Sequence, residues 1–565
     1  MKTIITFLLV SLVLTLSSTA ELSKIMPYKE YQIPTGNEKL PDVIAYPYNQ
    51  GLLTESPGIE IGMTYYDCQS VGSVGNRIAL DTYGNKSLCW MSLPDWPYPP
   101  VPRGVYCAWI SADNDIFYTG QIGGDNSGWP NLDIIYGNQA AIAFTDIAID
   151  VALAIVNPDT GYIQYYDPPG QFSPRITVDR NDNIHILAKE MTSTWLLELK
   201  YTNSTDGGHT WSRSRLVDSV IVSGGVIDAS PVSDRVVIAW AHPSDTTTQW
   251  KNDICYISSE DGLSWDFLND RINITNYADD DDSLWAYTDL DVIIDYNDYI
   301  HIIWNAQWVA EEGVYYRTFL YHYNEGTDEL NIITAHPDSL WMDISGAWNR
   351  PICKMSMGVQ DGSNALFAIW TKYDTTDISI GGYGNGELYM SYNLNGSDWS
   401  FPANITNSIT PDCYPGDCDS DIYATLADEV NQSLHITYIN DKDAGCVIQE
   451  EGSATENPVM YLELAVDTTG INDNIKKPEN IILYQNYPNP FNAATNIEFA
   501  LPRQAHVTVK IYDITGALTA ILLKGIRPAG HHILTWDASE FSSGMYFVNL
   551  KLGEKSFTRK MVLLK

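Results

Sequence analysis

The sequence predicts an all-β protein: a β-propeller of six to eight blades, with seven the best count, followed by a small β-sandwich. Three observations carry that expectation. A phrase of strand, Asp/Asn turn and strand recurs through the middle of the chain at roughly 50 residues, a period of propellers and solenoids. The 565 residues are rich in turn formers and aromatics, with 39 Gly, 28 Pro, 36 Tyr and 17 Trp. The segment 480–565 reads as several short alternating strands separated by turn signals.

The start of the chain reads as an export signal. Met1-Lys2 is a short positive region, Ile4 to Leu16 is apolar, and Ser18-Thr19-Ala20 ends in small residues. Cleavage between Ala20 and Glu21 follows, giving a signal peptide over 1–20. That run is too short to span a bilayer, and no later stretch reaches about 18 uninterrupted apolar residues. The mature chain is therefore expected to be soluble or surface-attached, with no transmembrane segment of its own. Residues 21–56 form a Pro/Tyr-rich lead without periodicity.

Charge excludes one class of partner. With 71 acidic and 32 basic side chains the formal net charge is -39, and the basic footprint of a nucleic-acid binder is missing. The eight cysteines are scattered, and Cys413 and Cys418 are the near neighbours among them. An oxidising compartment permits pairing. Their spacing is too wide for a zinc pair and no His is local, which leaves a disulfide or free thiols.

Residues 57–468 carry the repeat. The phrase is Pro174-Arg-Ile-Thr-Val-Asp-Arg-Asn-Asp-Asn-Ile-His-Ile186 and again Leu290-Asp-Val-Ile-Ile-Asp-Tyr-Asn-Asp-Tyr-Ile-His-Ile302. Looser copies begin at Ala424, Arg77 and Ser233. Asp and Asn side chains bond their own backbone and tolerate left-handed geometry, as tight hairpins require. The phrases place blades near 60–125, 126–170, 171–220, 222–276, 285–336, 350–408 and 420–468. The second is the least marked, because Ala140–Asp150 carries no turn phrase.

A second phrase follows the first at a fixed distance. Ser204-Thr-Asp-Gly-Gly-His-Thr-Trp211 is complete, Ser259-Glu-Asp-Gly-Leu-Ser-Trp265 is shortened, and Asn395-Gly-Ser-Asp-Trp399 is degenerate. The full copy resembles the Asp-box of sialidase-like propellers at Ser204, Asp206, Gly208, Thr210 and Trp211. Asp206 is placed to accept turn amides, Gly208 supplies a positive φ, and Trp211 returns as a packing anchor. In the family this hairpin lies away from the active site, so the resemblance implies fold rather than function. A polar linker, 469–479, ends the repeat region.

Residues 480–565 begin Leu483-Tyr-Gln-Asn-Tyr-Pro-Asn-Pro-Phe-Asn492 within their first turn and contain Val507–Gly516, Pro528–Trp536 and Ser543–Phe547. In that order these blocks resemble the type A C-terminal sorting domain of the type IX secretion system, close to the FlgD-type immunoglobulin-like sandwich. Asn486, Pro488, Asn489, Pro490 and Phe491 carry its entry motif. The resemblance implies passage through the periplasm to the outer surface or medium of a Gram-negative bacterium, with the secretion machinery as partner.

Function is less legible. A sialidase-like hydrolase needs a cationic cluster for a carboxylate, since guanidinium binds carboxylates bidentately, together with a Tyr nucleophile and carboxylates. Arg77, Arg175, Arg317 and Arg350 stand near strand signals, but no motif singles out three. His185, His301 and His435 recur after the turn, where a structural hydrogen bond of the repeat is the simplest role. Asp279 with Asp281, and Asp417 with Asp419, offer oxygen ligands for Ca²⁺ without the twelve-residue loop pattern; no other cofactor is expected. Trp285, Trp308, Trp341, Trp348 and Asp95–Pro100 are expected in loops, where aromatic faces suit sugars or peptides. The first reading is an exported binding or structural module for a glycan or protein. The alternative is a sialidase-like glycoside hydrolase acting on surface glycans.

Overall fold

The computed structural model describes residues 25–26, 55–466 and 481–564. It leaves aside 71, 95–102, 147–149, 192–196, 247–248, 278–281, 311–312, 337–343, 395–398 and 401 in the longer part, and 485, 487–488, 490, 492–493, 502–504, 528–529, 540 and 554 in the shorter. The signal peptide, its cleavage point at Ala20 and Glu21, and the linker lie outside the described residues. The chain divides into two compact units, one comprising Met1–Ser397 and Asn404–Ala465, the other Asp398–Ala403 and Val466–Lys565.

In the first unit the described strands form groups built on four antiparallel strands, with Ile25–Met26 added to the fifth group and Glu429–Val430 paired in parallel with the sixth. Their innermost strands are Ile78–Leu80, Gly128–Ile135, Phe172–Val178, Gly225–Ala229, Asp282–Ile294, Ile352–Gln360 and Ser420–Leu426. The fourth and fifth groups share one sheet through a single register pair, Asn252 with Ala286. Each innermost strand packs on the next, and Ser433–Asp441 of the last group meets Ile78–Leu80 of the first, which closes a propeller ring. The fourth strand of the last group comes from the other end of the propeller: Ile59–Thr64 pairs antiparallel with Asn457–Ala465.

The repeated phrase forms the turn after the innermost strand. Asp81 accepts the amides of Tyr83 and Asn85, Asp179 those of Asn181 and Asn183, and Asp295 those of Asn297 and Tyr299, all at 2.8–2.9 Å. In the fourth group Ser230 replaces the aspartate and takes the amides of Val232 and Ser233. These are local bonds, so each turn forms from its own few residues.

The hairpin at 204–211 is equally self-contained. Ser204 Oγ accepts the Gly208 amide at 2.8 Å and donates to Asp206 Oδ1 at 2.9 Å. Asp206 accepts the Thr210 amide (2.8 Å) and hydroxyl (2.7 Å). Gly208 sits at φ 90°, which explains the glycine. Trp211 packs against the core between the second and third groups. Asp206 itself is exposed, whereas Ser204 is buried. Ser204→Ala should therefore lower stability by about 1–2 kcal/mol, the cost of a stranded buried amide. Asp206→Ala should lower the melting temperature by less, because water replaces the lost acceptor. Thermal melts of the two variants check the order; a larger loss for Asp206→Ala would contradict it.

The second unit is a sandwich. One sheet holds Ile482–Leu483, Ala494–Leu501 and Gly530–Asp537; the other holds Leu518–Arg527, Ala505–Asp513, Gly544–Leu552 and Lys555–Leu563. Phe499, Val509, Trp536 and Val548 fill the space between them. The entry motif is tied to the last strand: Asn489 accepts the Val562 amide at 2.7 Å, and Phe491 exchanges backbone bonds with Val562 and Leu564. Asn486 is buried and donates to Thr495. Pro488 and Pro490 lie outside the described residues.

Candidate binding site at the channel mouth

Antiparallel strand order fixes which connections share a face. The Asp turns and the 204–211 hairpin lie at one end of the ring. The connections between groups, and those between second and third strands, lie at the other, and there the chemistry concentrates.

The segment 72–76 is threaded into the channel at that end. Its Ser73 Oγ accepts the Leu290 amide (3.0 Å), its Gly75 carbonyl accepts from Thr425 (3.2 Å), and its Asn76 carbonyl accepts the Leu132 amide (2.9 Å). Gly75, at φ 68°, has no room for a side chain: a Cβ would lie 2.2 Å from Asn131 and 2.7 Å from Arg175. Val74 is fully buried.

Around this plug several innermost strands break register near their start: Gly128/Asn131, Phe172/Arg175, Ala286/Leu290, Cys353/Ser356 and Ile422/Thr425. Trp129, Ser173, Lys354 and Tyr423 hold φ between 47° and 56° there. Bulky residues avoid that region, and bulges serve to re-aim side chains beside functional sites.

The result is a set of buried cations. Lys354 Nζ reaches Asp289 (3.2 Å), the Gly72 carbonyl (3.2 Å) and the Trp348 carbonyl (3.4 Å), and lies 5.6 Å over the Tyr423 ring. Arg175 donates to the carbonyls of Ser73 and Pro174, and Arg77 to the carbonyl and side chain of Gln69. Lys189 donates to Ser173 at 3.4 Å. Burial lowers Arg77 to about 10 and Arg175 to about 9, the latter helped by Arg77 beside it. Lys189 is pushed well down by burial and by the charges of Arg175 and Lys354.

Two further guanidinium groups stand over rings. Arg350 lies 4.1 Å above Tyr287 and 5.0 Å above Trp250, held by Gln307 (2.5 Å) and the Asn349 carbonyl (2.7 Å). Arg103 lies 4.6 Å above Trp129 and 5.1 Å above Tyr66, held by the carbonyls of Ser127 and Asn126. Its Nη1 is buried and has no hydrogen-bond partner among the described residues.

The sequence candidates thus separate. Arg77 and Arg175 do come together, but Arg175 grips the Ser73 carbonyl of the plug and Arg77 grips Gln69 just before it. Arg350 stands apart from them on its aromatic deck, and the side chain of Arg317 lies outside the described residues. Trp285 and Trp348 are buried rather than exposed; Trp341 and 95–100, and the side chain of Trp308, lie outside the described residues. Lys189, Asp289, Lys354, Arg103, Trp129, Trp250 and Tyr287 had no sequence signal beyond residue type.

The calcium candidates fare differently from each other. Asp279 and Asp281 lie outside the described residues. Asp419 is ion-paired with Lys442 at 2.6 Å and accepts from Asn440. Asp417 lies beside the disulfide between Cys413 and Cys418. Among the described residues no group of three or more His, Cys, Asp or Glu is arranged to hold a metal.

Deeper in the channel the titratable groups are carboxyls. Asp133, Asp228 and Asp291 each accept an amide from a neighbouring innermost strand, those of Val178 (2.6 Å), Ile294 (2.7 Å) and Met357 (2.8 Å). Asp428 accepts from Asn76. Burial raises Asp133 to about 6 and Asp291 to about 7, and pushes Asp228 and Asp428 well above the ordinary carboxyl value, with repulsion from the other channel acids adding to the last two.

Residues 485–564 match the family described as the secretion system C-terminal sorting domain. The protein is exported, to the cell surface or the medium. Among the described residues no helix is long and apolar enough to cross a membrane. None of the curated proteins compared matches the chain. Solved structures resembling it include an ulvan lyase, 12% identical, covering 71% of this chain and 95% of its own, at a TM-score of 0.43. A second polysaccharide lyase is 8% identical, with coverages of 78% and 97% and a TM-score of 0.44. An intramolecular trans-sialidase from Ruminococcus gnavus is 10% identical, with coverages of 72% and 98% and a TM-score of 0.32.

The channel acids set a pH dependence. A carboxyl raised in the folded state keeps its proton where the unfolded chain has lost it, so its stabilising contribution is full in acid and fades as pH climbs from about 4 to about 7. Melting temperature should therefore fall as pH rises through that window. Asp291→Asn retains an acceptor for the Met357 amide and has no proton to lose, so the fall should be shallower. An unchanged slope would remove Asp291 from the explanation.

Proposed function

We propose that this exported propeller is a binding module for an anionic glycan, taken at the channel mouth. One observation carries the reading: in a chain of net charge -39, Arg103 and Arg350 are buried at one mouth, each lying across aromatic rings. Guanidinium groups bind carboxylate or sulfate oxygens as paired donors, and the faces of aromatic rings suit sugar rings. The Arg103 Nη1, without a partner among the described residues, supports the same reading.

A calorimetric titration with uronate-containing and sulfated oligosaccharides tests it. Arg350→Gln and Arg103→Gln should each weaken binding by about tenfold or more, the worth of a charged hydrogen bond, with melting temperature as the control for folding. Binding should weaken with added salt. Equal affinity for neutral and anionic glycans, or folded variants with unchanged affinity, would reject the proposal.

The hydrolase alternative has one observation behind it. Burial raises Asp67 to about 7, a value suited to a general acid, and its charge is felt by Tyr423. Burial also raises the Tyr423 phenol well above its ordinary value, which makes it a poor nucleophile, so the binding reading is preferred. Turnover on a fluorogenic glycosidase panel, lost in Asp67→Asn, would reverse that preference.

We further propose that the C-terminal unit is read by the type IX secretion machinery. Deleting 480–565 should leave a folded propeller in the periplasm of the native host, measured by fractionation. Normal appearance of the truncated chain outside the cell would reduce the unit to a structural role.

A further inference from the structure

The recurring histidines lead to a second site, on the face opposite the mouth. In the third group His185 Nδ1 lies 2.7 Å from the Tyr201 hydroxyl, and in the seventh His435 Nδ1 lies 2.8 Å from that of Tyr461. Register makes the third member of this set His322, which stands across from Ile303 as Tyr201 stands across from Leu187. There His301 Nδ1 lies 3.0 Å from His322 Nε2, and the rings stack at 5.2 Å.

In the two tyrosine copies the next group in the ring covers the pair. Tyr201 donates to the Gly262 carbonyl at 2.9 Å and packs on Trp265. Tyr461 meets Asn114 at 3.4 Å under Lys86. Beside the smaller His322 lies a cavity of about 280 Å³, whose lining among the described residues includes Asn297, Tyr299, His322, Asn324, Thr327 and Leu366, with His301 and Asp295 behind. That is close to the lower end of small-molecule sites, about 300 Å³.

The lining defines the ligand. Among the described residues no lysine or arginine contributes to it. Asp295 is already engaged, by His301 (3.1 Å) and Asn364 (2.7 Å) on one oxygen and by two backbone amides on the other. Burial and the neighbouring His301 keep His322 neutral. Asn364 is engaged at both ends, by Asp295 and by the Tyr296 amide. What remains are the Asn297 side-chain amide, the Asn324 Nδ2 (its Oδ1 accepts the Gly326 amide) and the Thr327 hydroxyl, beside Leu366 and a Tyr299 ring that is 45% exposed and lies against Gly326. We propose that the cavity beside the His301–His322 pair is a second binding site, for one neutral sugar unit of a glycan, with hydroxyls on Asn297, Asn324 and Thr327 and a ring face on Tyr299.

The full chain is titrated calorimetrically with methyl α-glucoside, methyl α-galactoside, methyl α-mannoside and maltose. At least one should bind with a millimolar Kd. His322→Tyr installs the residue of the other two copies and fills the cavity, so it should weaken that binding by about tenfold or more while the fold is kept. Tyr299→Ala, at an exposed position, should weaken it as well and serves if His322→Tyr fails to fold. Arg350→Gln should leave it unchanged, which separates this site from the mouth. No binding of any probe at millimolar concentration, or both variants folded and binding as the parent does, would overturn the proposal.

Discussion

A ring of sheets has two free ends, and everything else in this propeller depends on how they are joined. Ile59–Thr64 supplies the outer strand of the last group, and the chain then passes through the channel before entering the first. That passage converts a seam into a plug. Segment 72–76 is bonded to innermost strands of the second, third, fifth, sixth and seventh groups. A parting at the seam would therefore cost bonds all round the ring, not only those between two strands.

The plug also explains why so many cations can be buried in an acidic protein. An unpaired buried charge is expensive, and plug carbonyls at 72 and 73 partly replace the water that Lys354 and Arg175 have lost, as the Gln69 carbonyl before the plug does for Arg77. The replacement is incomplete, since Lys354 has a carboxylate partner in Asp289 whereas Arg77 and Arg175 are bonded to neutral groups and titrate low. The acids lie further along the innermost strands, where they staple one strand to the next.

The local parts of this structure were legible in the sequence and the non-local parts were not. The Asp turns and the 204–211 hairpin are made by side chains bonding amides two to four residues away, so the spelling of the phrase contains the geometry. The sandwich was legible for the same reason, from alternation in Val507–Asp513 and Tyr546–Leu550. The closing strand was not, because nothing in Ile59–Thr64 names a partner about 400 residues later. Arg77 and Arg175 were found as candidates by residue type, but their task is set by carbonyls of a segment whose path needed the fold. Lys354 and Tyr423 are aimed by bulges, which a period-two reading of strands does not register. The glycines at 72 and 75 were the available hint, and only the close approach of Asn131, Ser223 and Arg175 gives them meaning.

Native-state hydrogen exchange on the propeller tests this account most directly. If closure and plug hold the ring as one unit, amides of 59–64 and their partners in 457–461 should exchange only through the same large-scale opening as those of the innermost strands, with the same dependence on denaturant. Exchange at the seam through a separate low-energy opening, while Gly128–Ile135 and Phe172–Val178 stay protected, would show that the ring stands without its closure and would contradict the account.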